Sequence, residues 1–294
     1  AFAKRLQKFL PEPQNSLALG ILIGAKRGLP QNLTDSFNNT GTSHIVAISG
    51  FNIAIIVAAL SFLAWIVGRK MSFWLSLIII LGFVVIAGAS ASVIRAAVMG
   101  ILLLMAFNIG RLYSVMPALI FAAAGMLYVN PKILYWDIGF QLSFAATLGL
   151  VLFMPLLEKL AESWPKMFGL KLIFLATLAA TVSTLPLVLW YFGRLSLVSL
   201  LANLLVLPVV PFAMLFGFLT VLPFFGPGFA FLANALLTYI LWVVETLARW
   251  PLASVSAEIS KKVLLSMIAA LFVLYFLLRK IAGKLRRVEI IKPL

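Results

Sequence analysis

One arginine interrupts a long apolar stretch of the chain. Arg95 lies in the sequence ASASVIRAAVMG, with 24 uncharged residues before it and 15 after it. On a helix, Ser92 and Met99 occupy the same face as Arg95. The planar guanidinium is suited to phosphate or carboxylate groups, and a wet interior would let it bind them. The alternative is a structural arginine that forms an ion pair or extends towards a polar surface.

Polar residues also begin the preceding apolar stretch, in the sequence TGTSHIVAISGFN. His44 is the only histidine of the chain, and a lone histidine here is more often a hydrogen-bonded structural residue than a catalyst. A nucleophilic pair of Ser49 and His44 is conceivable, although no acid lies nearby in sequence to orient the imidazole. Gly50 predicts a break in the helix beside Asn52, and irregular backbone in an apolar environment has to line a cavity.

A third polar group lies in the sequence YWDIGFQLSFAATLGL. Asp137 and Gln141 are four residues apart and share a helix face, whereas Ser143 lies on another face. Gly139 and Ser143 provide a small-residue surface, for which close helix packing is the simpler interpretation. The carboxylate of Asp137 either interacts with a helix N-terminus or is a partner for Arg95.

The composition shows which elements must position these residues. The chain has 294 residues, 64% of them hydrophobic and 11% charged, with a mean hydropathy of +1.14. A soluble domain carries about 25% charge, so lipid is the solvent for most of this chain. The long continuous apolar runs predict an all-α, polytopic transmembrane helical bundle of about eight to ten spans, some of them broken or re-entrant.

The charged residues divide the chain into segments. An N-terminal interfacial or amphipathic segment is predicted for residues 1–43, a transmembrane domain for 44–281 and a basic C-terminal exit segment for 282–294. Pro208 and Pro211 mark a broken or re-entrant part. The nine predicted spans are about 44–68, 71–88, 90–109, 114–130, 136–157, 171–192, 197–223, 226–248 and 262–280.

The charge and the residue types restrict the function. A net charge of +15 indicates either contact with anionic lipid at the span ends or an anionic substrate. The chain has no cysteine and one histidine, which excludes a zinc site built from those ligands. There is no GxxxxGK[ST] sequence and therefore no P-loop. No cofactor and no enzymatic activity are expected, and the absence of an initial methionine suggests a fragment of a longer protein.

Three segments together carry a resemblance to a known family. They are RGLPQNLTDSFNNTGTSHIVAISGFNIAI, ASASVIRAAVMG and GFQLSFAATLGL, in that order. They resemble the competence domain of ComEC-type bacterial DNA-uptake channels, over about residues 12–285. The resemblance implies that residues 44–281 are a transmembrane competence domain in the bacterial cytoplasmic membrane. Its expected function is to conduct one strand of transforming DNA during natural transformation.

The resemblance also implies partners and a path. Single-stranded DNA, membrane lipid, a cytosolic DNA motor or helicase and single-strand binding proteins are the expected partners. OB-like and metallo-β-lactamase-like domains are expected in the full-length chain. The family's usual second histidine after the ISG sequence is Asn52 here, which argues against any role that needs two histidines. The residues expected to line the DNA path are His44, Ser49, Gly50, Asn52, Ser92, Arg95, Met99, Asp137, Gly139, Gln141 and Ser143.

Two other functions fit the same residues. A secondary transporter for a small anionic metabolite would use Arg95 as its binding group and broken helices near Gly50 and Pro208. An intramembrane enzyme would use His44 and Ser49. If the channel interpretation is right, the three polar segments 44–52, 92–99 and 137–143 should converge on one narrow interior cavity, because lipid satisfies none of their polar groups.

Overall fold

A computed structural model describes residues 2–25, 28–46, 50–165, 169–222 and 226–291. Within those ranges the chain forms fifteen helices and two short strands, and the strands pair in a two-stranded sheet. The elements are α1 Phe2–Phe9, α2 Gln14–Ile23, α3 Gln31–Asn39, α4 Ser43–Val46, α5 Gly50–Val67, α6 Arg69–Ile86, α7 Ala91–Ile109, α8 Val115–Val129, α9 Ile133–Trp136, α10 Ile138–Leu160, α11 Leu170–Phe192, β1 Arg194–Ser196, α12 Ser199–Val206, α13 Val210–Val221, α14 Gly226–Ala248, β2 Ser254–Ser256 and α15 Lys261–Ile291.

The helices confirm the prediction of an all-α, polytopic membrane bundle. Among the described residues, five helices are long and apolar enough to cross a bilayer, namely α7, α10, α11, α14 and α15. The pair of α12 and α13 makes a sixth crossing if it is one bent span, with an angle of 47° at the break. Pro208 lies in that break and Pro211 in the first turn of α13, so neither contributes a backbone N–H to a continuous helix.

Three predicted spans are formed by other helices. The prediction for 71–88 corresponds to α6, which has 18 residues, and that for 114–130 to α8, which has 15. At 1.5 Å per residue α8 rises about 22 Å, less than the roughly 30 Å of a hydrocarbon core. The first predicted span, 44–68, consists of α4 and α5, and residues 47–49 between them lie outside the described residues.

One compact unit contains Ala1–Phe140 and Ser196–Ser254. The predicted segment 1–43 contributes Leu6, Leu17 and Phe37 to its main core, where each side chain is at most 1% exposed. The ten-residue α2 is buried on most sides because its sequence, QNSLALGILI, has small or apolar residues on every face. A second core joins α5, α6 and α7. This unit therefore holds both the N-terminal helices and the arginine-bearing α7.

The other unit contains Gln141–Leu195 and Val255–Leu294. Gly149 of α10 lies directly against Ser183 of α11, a close approach that only small residues allow. The rings of Phe153 on α10 and Tyr275 on α15 meet edge to face, with their centroids 6.1 Å apart. The window of α15 that could cross a membrane has none of its residues buried within the chain, as expected for a helix surrounded by lipid.

Candidate functional site

Arg95 is buried against the start of α5. Its side chain is 8% exposed although it lies in a membrane-crossing helix. A Cβ atom added to Gly50 would lie 2.6 Å from Nη2 of Arg95 and 3.7 Å from its Cζ. The guanidinium therefore packs directly against the backbone at Gly50, which has no side chain. The side chain of any larger residue at position 50 would overlap the guanidinium. The backbone at Gly50 and the side chain of Arg95 are therefore in contact, whereas the predicted cavity shared by all three polar segments stays a prediction.

The third polar segment begins beside the same helix. The hydroxyl of Ser92, one turn before Arg95 on α7, donates a hydrogen bond of 3.4 Å to the carbonyl oxygen of Gly139. Oδ1 of Asp137 accepts a hydrogen bond of 2.8 Å from the backbone N–H of Phe140. Asp137 thus caps α10, which is the helix-terminus role considered from the sequence. Ser92 connects this capped end to the helix that carries Arg95.

Asn52 has a specific structural partner. Its side chain is 1% exposed, and its Nδ2 donates a hydrogen bond of 2.7 Å to the carbonyl oxygen of Ile21. Ile21 lies in the last turn of α2, where carbonyl groups have no partner within the helix. The backbone N–H of Gly24 satisfies the Gly20 carbonyl at 2.9 Å, in a left-handed C-cap. Asn52 therefore joins the end of a buried short helix to the start of α5.

The only histidine of the sequence lies in the short helix α4. His44 is exposed, and its Nδ1 donates a hydrogen bond of 3.2 Å to the carbonyl oxygen of Gly41. Ser49, the other residue of the conceivable nucleophilic pair, lies outside the described residues. Met99, one turn after Arg95 on α7, is half-buried.

A residue that the sequence did not reveal is near Arg95. Tyr113 follows α7 in the loop before α8 and is half-buried. Burial raises the pKa of the Tyr113 hydroxyl, and the positive charge of Arg95 opposes that rise without cancelling it. The hydroxyl is consequently neutral at physiological pH and can donate a hydrogen bond. Tyr113 lies beyond the end of α7 at Ile109, so helical spacing within α7 could not have revealed the pair.

The two remaining path candidates lie in the second compact unit. Tyr191 donates a hydrogen bond of 2.6 Å to Oε1 of Gln141 and so joins α11 to the first turn of α10. The hydroxyl of Ser143 is buried and has no hydrogen-bond partner among the described residues. Thr147 donates to the backbone carbonyl of Ser143 at 2.9 Å. The start of α10 therefore carries polar groups on several faces, as its sequence predicts.

Comparison with known proteins identifies the family. The sequence profile described as "Competence protein" matches residues 21–281, which is most of the chain. The chain belongs to the competence protein family. It is similar to ComE operon protein 3 of Bacillus subtilis (strain 168), with 28% identity over 211 residues. The match covers 71% of this chain and 26% of that relative, so the chain spans about a quarter of the relative's length. None of the solved structures matches the chain.

The polar residues of this competence protein form a coherent set within the first unit. Gly50 contacts Arg95, and Ser92, one turn earlier on α7, is hydrogen-bonded to Gly139. Asn52 lies two residues after Gly50. They offer one fixed cation, hydroxyl groups and backbone groups. That combination favours an anionic, hydrogen-bonding ligand over an apolar one. The family membership and the long apolar helices support a multi-pass membrane protein.

Proposed function

We propose that this competence-family chain is the membrane conduit for a single strand of transforming DNA, located in the bacterial cytoplasmic membrane. The observation that carries the proposal is the buried guanidinium of Arg95 on the backbone of Gly50, in a helix otherwise suited to lipid. An arginine at membrane depth requires a polar surrounding, and a phosphate is its preferred bidentate partner. The profile match over residues 21–281 supports a substrate that is DNA.

The chemistry proposed for the path is transient phosphate binding. One arginine binds a passing phosphate strongly enough to replace part of the hydration of that phosphate. Because only one such site holds it, the phosphate is released again. Neutral groups such as the Ser92 hydroxyl hold the neighbouring sugar and base without adding charge. Inward movement against an inside-negative potential costs about 2.3 kcal/mol per charge per 100 mV. A conduit of this kind therefore needs an external motor.

The remaining partners follow from that requirement. We propose that a cytosolic motor or helicase and single-strand binding proteins draw the strand inward. OB-like and metallo-β-lactamase-like domains are proposed for the full-length chain, of which this segment corresponds to about a quarter in the Bacillus relative. Purification of the full-length protein with its cytosolic partners, followed by identification of the bound proteins, tests this set.

We also propose that this segment hydrolyses neither DNA nor ATP. The support is the residue content, since the chain contains no cysteine, one histidine and no P-loop sequence. The test incubates the purified chain with labelled single-stranded DNA and Mg²⁺ or Mn²⁺, beside an Arg95→Ala preparation as a contamination control. Metal-dependent cleavage that is lost in a variant of a residue of this chain would overturn the proposal.

The decisive experiment concerns Arg95. Arg95→Ala in the full-length protein should abolish transformation while the protein remains in the membrane at wild-type amount. Arg95→Lys should restore transport only in part, because a point charge replaces a planar fork. Arg249→Ala is the matched control, since that side chain is 81% exposed and forms only a long surface ion pair with Glu245. Normal uptake by Arg95→Ala, or loss of that variant from the membrane, contradicts the proposal.

A small-anion transporter is the second candidate. The break between α12 and α13, with its 47° bend, is the observation that favours it, because discontinuous helices are common in transporters. Proteoliposomes that contain the purified chain distinguish the two functions. Uptake of a labelled sugar phosphate that depends on Arg95, without any effect of added single-stranded DNA, would favour the transporter.

A further inference from the structure

A groove outside the Arg95 contact lies where α9 leads into α10. Its volume is about 330 Å³, and it is lined by Asn130, Lys132, Ile133, Trp136, Asp137 and Ile138. That size is at the lower end of the range for ligand sites, roughly 300–1,000 Å³. The lining combines one cation, one amide, one carboxylate and an indole ring. Asp137 caps α10 through Phe140, so the groove holds the cation of Lys132 beside a carboxylate that has a structural role.

The aromatic rings at this groove are presented to the outside. Trp136 is 76% exposed and Tyr135 is 73% exposed. Their centroids are 5.0 Å apart and their planes cross at 80°, so the two rings present differently directed faces. An exposed indole or phenol face is a surface on which any nucleobase can stack. The pair can therefore receive a planar group without first being uncovered.

The backbone holds this arrangement in place before any ligand arrives. Oδ1 of Asn130 accepts a hydrogen bond of 3.2 Å from the N–H of Lys132. The N–H groups of Tyr135 and Trp136 both bond to the carbonyl of Lys132, at 3.2 and 3.0 Å. A ligand that binds here loses little free energy to ordering the backbone, because the turn is already formed.

The groove ends one residue before the polar contact of α7. Ile138 at its edge precedes Gly139, whose carbonyl oxygen is bonded to Ser92, one turn from Arg95. All of these residues belong to one compact unit, Ala1–Phe140 with Ser196–Ser254. The aromatic and cationic residues of the groove therefore precede, by a few residues, the helix end that contacts α7.

We infer that Lys132, Tyr135 and Trp136 form a stacking platform for an unpaired DNA strand, in which a base stacks on the Trp136 ring and Lys132 binds an adjacent phosphate. The inference rests on the proposed function, because it adds a second contact for the same substrate. The exposed rings, the Lys132 cation and the position of the groove next in sequence to the Gly139–Ser92 contact favour DNA as the occupant. A lipid headgroup is the competing occupant, because exposed tryptophan also occurs at membrane surfaces.

Binding of a labelled oligothymidylate to the full chain in lipid nanodiscs tests the platform. Trp136→Leu keeps the apolar area but removes the ring, and should weaken binding about 5- to 150-fold, the equivalent of one lost stacking contact. Trp136→Phe should retain most of the affinity. Lys132→Gln should reduce the slope of log affinity against log salt by about 0.7, as for one lost phosphate contact.

Control variants distinguish a DNA strand from a lipid headgroup as the occupant of the groove. Trp164→Leu removes another half-exposed tryptophan, outside the groove, and should leave oligonucleotide affinity unchanged. If Trp136→Leu lowers melting temperature or membrane insertion while affinity stays at the wild-type value, the ring is a lipid anchor and the platform is wrong. Equal affinity of wild type and Trp136→Leu, with Arg95→Ala impaired, overturns the platform alone. Failure of the wild type to bind the strand overturns both the platform and the proposed function.

Discussion

Replacing Gly50 with alanine tests whether the position of the Arg95 guanidinium matters. The added Cβ would lie 2.6 Å from Nη2 of Arg95, whereas ordinary contact begins near 3.4 Å. The guanidinium must therefore retreat by about 0.8 Å or change rotamer. Overpacking of this kind costs about 1–3 kcal/mol, and a helix-favouring alanine recovers up to about 1 kcal/mol of it. We expect only a modest loss of folding stability.

The expected loss of function is larger than the loss of stability. A charge-assisted hydrogen bond contributes about 1.5–3 kcal/mol, so a displaced guanidinium should weaken phosphate binding about 10- to 150-fold. The assay is transformation frequency of cells that carry Gly50→Ala in the full-length protein, with the amount of membrane-inserted protein measured in parallel. Thermal melting of the purified protein gives the stability change.

Two other glycines provide matched controls. Gly100→Ala adds a methyl group at the same α5–α7 interface, 3.1 Å from Cγ2 of Val57, but meets no charged group. Gly82→Ala on α6 has no atom within 4 Å. Gly100→Ala should lower the melting temperature while transformation stays close to wild type. Gly82→Ala should also leave transformation unchanged and should raise the melting temperature slightly, because alanine favours the helix by up to about 1 kcal/mol. Wild-type transformation by Gly50→Ala would refute the reasoning, as would an equal defect in Gly100→Ala.

Three further changes test the contacts around the site. Asn52→Ala removes the donor to the Ile21 carbonyl and should cost about 1–3 kcal/mol, seen as a lower melting temperature; an unchanged melting temperature would mean that this bond does not hold α2. Tyr191→Phe removes the hydrogen bond to Gln141 and should cost about 0.6–1.5 kcal/mol, whereas Tyr128→Phe, at a ring 92% exposed, should cost nothing measurable; equal effects of the two would contradict the assignment. Burial raises the pKa of Glu12, but hydrogen bonds from Ser16 and Asn15 outweigh it and leave that pKa below its usual value. The stability that Glu12 contributes should therefore be present above the pKa of the unfolded carboxyl and lost as pH falls through the lower folded pKa, and Glu12→Gln should flatten the acidic side of a plot of melting temperature against pH.

The local features of this protein could be predicted from the sequence because their causes are local. Apolar runs of about 20 residues identify membrane helices, since each helix satisfies its own backbone groups. Arg95 could be singled out because its surroundings in sequence are uncharged over 24 and 15 residues. The capping role of Asp137 was one of two alternatives, and its acceptor and donor are only three residues apart.

The partners of those residues were decided only by the tertiary structure. Asn52 bonds to a carbonyl 31 residues earlier, and Tyr191 bonds to a side chain 50 residues earlier. Hydropathy could not predict these pairs, because α2 and α11 are apolar on nearly every face and such helices do not indicate which side meets a neighbour. Ser92 likewise meets Gly139 through the packing of two helix ends. The sequence alone determined that polar groups lie inside an apolar bundle, because apolar composition drives burial without specifying a direction. The packing of the helices determined which polar groups meet, because a hydrogen bond requires a particular distance and angle between donor and acceptor.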